Sequence, residues 1–154
     1  QQRLHDATVT NGLPTPIVSS AGALVDSLHT IGAKKVSIIC PYMKPLTRMV
    51  VDYIESEGIE VQDFMALEIP NNLDVAAQDP NAPAELWKKL DVTGIDAIVA
   101  SACVQMPSLP AIENIEKASG IPTISAAVAT TYEILKTLNL EPVAPGGGFL
   151  LSGK

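Results

Sequence analysis

The chain has 154 residues, enough for one domain with a sizeable core; 47% are apolar but only 4% aromatic, so Ala, Val, Ile and Leu must fill the interior. A net charge of −7 excludes the basic face that nucleic acid or an anionic membrane surface requires. Two cysteines without C-x-x-C spacing, no secretory leader and no long apolar run lead us to expect a soluble protein of a reducing compartment, the cytoplasm.

Residues 1–11 read as a polar helical piece without an initiator Met, expected to be the end of something longer. Strand-like runs rich in Val and Ile follow at 16–19, 35–40, 59–64, 97–102 and 121–125, each bounded by Gly, Pro or Asp. Between them, three sets fall at helical spacing and predict one sheet-facing stripe each: Leu24, Val25 and Leu28; Leu46, Met49, Val50, Tyr53 and Ile54; and Val128, Thr131, Leu135 and Leu138. Gly32, Gly58, Gly94 and Gly120 each stand where a helix stops before a strand. The inner strands, Val36–Ile39 and Ile98–Ala100, are apolar but for Ser37, as in a parallel sheet covered on both faces. The expectation is a doubly wound α/β domain with a parallel sheet of four to five strands. A polar stretch at 69–79 and a glycine-rich tail at 142–154 break the alternation, and long irregular pieces in a small domain tend to border a site.

Chemistry in such a sheet gathers at the carboxyl ends of the strands. Two ends carry candidates, Cys40-Pro41-Tyr42-Met43-Lys44 and Ala102-Cys103-Val104-Gln105. If the winding reverses between these strands, Tyr42, Lys44 and Cys103 share one crevice. Cys103 sits between a strand and a helix opened by Ser108 and Pro110, where free N–H groups and the helix dipole favour a thiolate. That reading stands above the alternative of a small buried hydrophobe, whereas Cys40, between isoleucines and a proline, reads as the end of a buried strand. Tyr42 is either a neutral donor to a developing oxyanion or a packing ring. Asn71 and Asn72 are either carboxylate ligands or turn formers.

Other chemistries are excluded residue by residue. A cysteine phosphatase needs an arginine six positions after its nucleophile, and Leu46 and Leu109 occupy those places. The Gly148–Lys154 match to a phosphate-binding loop has no following helix, no G-x-G-x-x-G follows the first strand, and the strand at 35–40 lacks an acidic phosphoacceptor. His5 and His29 have no partner at zinc spacing, so no metal and no other cofactor is expected.

Several segments together resemble the maleate cis-trans isomerases, a branch of the aspartate/glutamate racemase and arylmalonate decarboxylase superfamily. They are residues 16–24 (PIVSSAGAL), 41–47 (PYMKPLT), 69–73 (IPNNL), 101–106 (SACVQM), 129–132 (ATTY) and 150–153 (LLSG). The resemblance covers nearly the whole chain. It implies two similar α/β halves with one cysteine from each facing a shared cleft. In that scheme the first-half thiolate adds to maleate, the adduct rotates about the new single bond, and elimination gives fumarate, a step in the breakdown of nicotinate-like compounds.

Cys103 matches the second-half cysteine, which supplies or removes the proton. Tyr42 matches the tyrosine that donates to the substrate carboxylate, and Asn72 the loop asparagine that holds one, with Asn71 as the fallback. The backbone N–H groups of Val104 and Gln105 complete the anion nest. The chain corresponds to the second half only: residues 1–12 are a remnant of the missing N-terminal half, 13–125 the α/β domain, and 126–154 a helix and tail packing toward the absent half, in a homo-oligomer. A racemase or decarboxylase of the same superfamily and a non-catalytic dicarboxylate-binding module remain the alternatives.

Overall fold

The computed structural model describes residues 2–153. Gln1 of the expected leader and Lys154 of the expected tail and loop match lie outside them. The chain folds as α1 (Gln2–Thr10), α2 (Ser20–Thr30), β1 (Lys35–Cys40), α3 (Lys44–Ser56), β2 (Glu60–Ala66), α4 (Asn72–Ala76), α5 (Pro83–Leu86), β3 (Ala97–Ser101), α6 (Leu109–Ser119), β4 (Thr123–Ser125) and α7 (Ala126–Thr137), with 3-10 turns at Trp87–Lys89 and Phe149–Leu151.

The sheet has four parallel strands in the order β2-β1-β3-β4. Since β1 pairs with both β2 and β3, the direction of winding reverses between β1 and β3. Right-handed crossovers then place α3 on one face and α5 with α6 on the other. Helices α2 and α7 pack together on the α3 side. The buried centre is the one the composition requires: Val36, Ile38 and Ile39 of β1, Ile98, Val99 and Ala100 of β3, and Ile112 and Ile115 of α6 are all fully enclosed. Edge strand β2 is only partly covered, with Phe64 exposed.

The fifth expected strand, at 16–19, does not form. Residues 13–19 are irregular because Pro14 and Pro16 have no N–H to give a ladder, and the Ser19 hydroxyl caps α2 by accepting from the N–H of Gly22 at 3.2 Å. The stripe on α3 is also corrected. Of the expected row Ile54 is buried and Val50 packs half-buried against the core, whereas Leu46, Met49 and Tyr53 are exposed and Thr47 and Val51 take the buried places. On α7, Ala126, Val128 and Ala129 are buried and Leu135 is half-buried, while Thr131 and Leu138 are exposed. The second strand starts and ends later than expected and the last is two residues shorter.

Gly120 ends α6 in the left-handed conformation at φ 72°, as its position before a strand predicts. Gly94 follows a turn rather than a helix. The tail folds back on itself through an antiparallel bridge between Val143 and Ser152. Among the described residues, no helix is long and apolar enough to cross a membrane.

Candidate active site

The carboxyl ends of β1 and β3 lie side by side, as the switch-point topology requires. The N–H of Ala102 donates to the carbonyl of Ile39 at 2.9 Å, carrying the ladder one step past the assigned strands. Beyond it the chains diverge into two loops, one bearing Tyr42 and the other Cys103. The phenol of Tyr42 donates across the gap to the carbonyl of Ala102 at 3.5 Å, the outer limit of a hydrogen bond. Burial, and then the adjacent Cys103 sulfur, push the Tyr42 pKa up, so the phenol is a protonated donor at neutral pH.

Cys103 is 8% exposed and belongs to a small cluster separate from the main core, built with Val75 and Met106 and covered by Tyr42, Leu67 and Ile69. Its backbone is fixed by Ser101, a residue that sequence reasoning passed over. The Ser101 hydroxyl donates to the Cys103 carbonyl at 2.8 Å and accepts from the Cys103 N–H at 3.2 Å. The Cys103 N–H is thus already occupied. Val104 and Gln105 are exposed in the turn that follows, and no acceptor is placed on their N–H groups among the described residues. Ser108 and Pro110 open α6 as expected, with Ser108 at the N-cap, although its buried hydroxyl makes no capping bond.

The polar stretch at 69–79 borders this cluster because it contains a short helix. The side chain of Asn71 accepts from the N–H of Leu73 at 2.9 Å and caps α4. Val75, on the buried side of α4, then packs against Cys103 and Met106. Asn72, between the cluster residues Ile69 and Val75, is exposed. The geometry gives the two asparagines different roles in the loop: the amide oxygen of Asn71 serves the cap, whereas the Asn72 side chain makes no hydrogen bond among the described residues.

Lys44 does not join the crevice. It is 74% exposed and pairs with Glu68 at 3.1 Å. Cys40 is fully buried, and desolvation first, with Cys103 nearby, pushes its thiol up to about 12, against the polarity of the adjacent Thr47 side chain, which lowers it. Such a thiol is protonated and unreactive at neutral pH, in line with its reading as a strand end. Behind Tyr42, a cavity of about 170 Å³ is lined by Ala21 and Leu24 of α2, Met49 and Tyr53 of α3, and Ala102. No cluster of three or more His, Cys, Asp or Glu able to hold a metal occurs among the described residues.

Residues 1–151 match the arylmalonate decarboxylase family. Over its full length the chain is 54% identical to maleate isomerase of Geobacillus stearothermophilus and spans 61% of that protein. Among solved structures it superposes on a cysteine-to-alanine variant of the maleate isomerase of Pseudomonas putida with maleate, at TM-score 0.94 and 53% identity, over 99% of this chain and 61% of the other. It also superposes, at TM-score 0.93 and 40% identity, on a cysteine-to-serine variant of Nocardia farcinica maleate cis-trans isomerase with a covalently bound succinylcysteine intermediate, over 99% of this chain and 64% of the other. The chain thus spans about three fifths of the length of the curated relatives it matches.

Proposed function

This chain belongs to the arylmalonate decarboxylase family, and from that premise we propose that its protein converts maleate to fumarate through a covalent cysteine adduct, with Cys103 moving the proton. The observation that carries this reading is the contact of the Cys103 side chain with a protonated phenol, at a strand end whose neighbouring loop presents a free amide. The succinylcysteine captured in the Nocardia farcinica relative is the adduct such a route requires.

In the proposed cycle, a thiolate from the N-terminal part of the protein, outside this chain, attacks one alkene carbon of maleate and forms a C–S bond. The π pair moves to the other alkene carbon and its carboxylate, and the Cys103 S–H protonates that carbon. Rotation about the resulting single bond brings the carboxylates to opposite sides. The Cys103 thiolate then removes the proton, the pair re-forms the double bond, and the C–S bond breaks. Charge gathers on the substrate carboxylate during addition, and the Tyr42 phenol is the neutral donor for it. Asn72 holds a carboxylate through its amide, while the N–H groups of Val104 and Gln105 complete the anion site. No step calls for a metal or redox cofactor.

The same reading assigns residues 1–12 to the end of the absent half, 13–125 to the domain bearing the second cysteine, and 126–154 to a segment that packs toward that half. The exposed apolar side chains of Ile134, Leu138 and Leu140 support the last assignment and a homo-oligomeric protein. Two free, buried cysteines suit a reducing cytoplasm, and the proposed isomerisation suits a step in the breakdown of nicotinate-like compounds. The test is to incubate the full-length protein with maleate and follow fumarate by NMR, beside a Cys103→Ser variant. Conversion by the wild type and its near-complete loss in the variant, with dicarboxylate affinity changed little, is the expected result. Turnover of a 2-substituted malonate or an amino acid without isomerisation would replace the reading with decarboxylation or racemisation. Binding with no turnover in either protein would leave a dicarboxylate-binding module.

A further inference from the structure

The phenol of Tyr42 is held only loosely at its tip, by the 3.5 Å contact to Ala102 and the neighbouring Cys103 sulfur, so its aim depends on how its backbone is fixed. That backbone is fixed at one atom. The Tyr42 carbonyl accepts the hydroxyl of Thr47 at 3.2 Å and the N–H of Glu68 at 3.2 Å. Thr47, in the first turn of α3, is fully buried and faces the sheet.

Glu68 lies just past β2, in the segment leading to the Asn71–Asn72 loop. Three consecutive N–H groups there, of Leu67, Glu68 and Ile69, donate to the carbonyls of Cys40, Tyr42 and Pro41 at 2.8, 3.2 and 3.0 Å. An extended strand sends successive N–H groups to opposite sides and cannot do this. The chain manages it because Glu68 adopts a left-handed conformation, φ 56°, which few residues other than glycine tolerate. The turn carrying Tyr42 and the loop carrying Asn72 are thereby joined at the Tyr42 carbonyl, and the Thr47 hydroxyl ties that joint to α3.

We propose that Thr47 is a positioning residue for the isomerisation, acting through the Tyr42 carbonyl to hold the phenol against Cys103. The proposal rests on the isomerase reading above, and its test separates the two. Thr47→Val keeps the shape and removes the hydroxyl, Thr47→Ser restores it, and each is made in the full-length enzyme with and without Tyr42→Phe. In the wild-type background Thr47→Val is expected to lower kcat on the order of 10-fold with KM nearly unchanged, a fraction of the roughly 100-fold that a displacement of about 1 Å costs. Thr47→Ser is expected to recover most of that loss. In the Tyr42→Phe background the valine substitution is expected to cost less than about 2-fold, because the group it positions is gone.

Equal losses in both backgrounds, no loss in the wild type, or a serine variant as impaired as valine would each overturn the proposal while leaving the isomerase reading intact. Tyr42→Phe with full activity would instead remove the role assigned to Tyr42, and the proposal with it. Should the valine variant melt below the assay temperature, Thr47→Ala is judged by the same cycle.

Discussion

The Tyr42 phenol and the Ala102 carbonyl face each other at 3.5 Å across the seam where β1 and β3 end. At that length the bond is weak, and it is the only hydrogen bond to another oxygen that the phenol makes among the described residues. A weakly held donor is free to turn to an incoming carboxylate without giving up a strong partner. Its raised pKa keeps the proton in place at neutral pH. Tyr42→Phe in the full-length protein is therefore expected to reduce kcat by about 10²- to 10³-fold, the range seen when an oxyanion donor is removed. Thermal melting should shift little, because the lost bond adds little to the fold. Steady-state kinetics of fumarate formation, paired with a melt, check both halves.

The two adjacent asparagines are expected to respond in opposite ways. Asn71 caps α4, so Asn71→Ala should destabilise the fold by about 1 kcal/mol and loosen the helix that places Val75 against Cys103. Asn72→Ala leaves the cap intact and should spare stability while raising KM for maleate about 10-fold, the order expected for losing a hydrogen bond to a charged group. Denaturant titration and substrate-saturation curves on the same two variants make the comparison. A KM rise confined to Asn71→Ala would exchange their roles.

The neighbourhood of Tyr42 and Cys103 is legible in the sequence because both follow short apolar strands, and strand order alone brings those ends together. What surrounds them is less so. The expected row on α3 runs through Leu46, Met49, Val50, Tyr53 and Ile54, and only Ile54 of these is fully buried; Thr47 joins it in the interior, because a hydroxyl bonded to the Tyr42 carbonyl is enclosed without penalty. Ile17 and Val18 have the composition of a strand, but the prolines at 14 and 16 and the capping role of Ser19 decide otherwise. The left-handed turn at Glu68 has no glycine to announce it. It is imposed by the three carbonyls of residues 40–42 that its neighbours must reach.

Cys40 sets an alkaline limit on stability. Its thiol is raised from 9.0 to about 12, chiefly by desolvation, so the folded state retains a proton that the unfolded chain releases above pH 9. Its contribution is complete below pH 9 and is lost progressively as pH rises toward 12. Stability measured by denaturant titration is expected to fall across that window, and Cys40→Ala should flatten the fall. A matching expectation concerns reactivity: at neutral pH, iodoacetamide should modify Cys40 only after unfolding, as peptide mass mapping would show.

The tail is anchored by the buried Leu150 and Leu151 and by one polar side chain, Glu116. The Glu116 carboxylate accepts the N–H of Thr123 at 3.0 Å and the N–H of Phe149 at 3.0 and 3.2 Å, tying α6 to the start of β4 and to the last 3-10 turn. Thr123 is fully buried, so Glu116→Ala strands a donor away from water and should cost about 2 kcal/mol. Glu116→Gln should cost less, since its amide oxygen can take the place of the carboxylate oxygen that serves both N–H groups. Gly148 makes the approach possible. Its φ of 63° and ψ of −156° lie in a region that is essentially glycine-only, and an added Cβ would stand 2.6 Å from Ile112 and 2.9 Å from the Glu116 carboxylate. Gly148→Ala is therefore expected to be at least as damaging as Glu116→Ala. Because it breaks the same fastening, the double variant should lose much less than the sum of the two. Thermal or denaturant unfolding of the two single variants and the double variant decides it, and simple additivity would show that Gly148 serves the tail by a route other than Glu116.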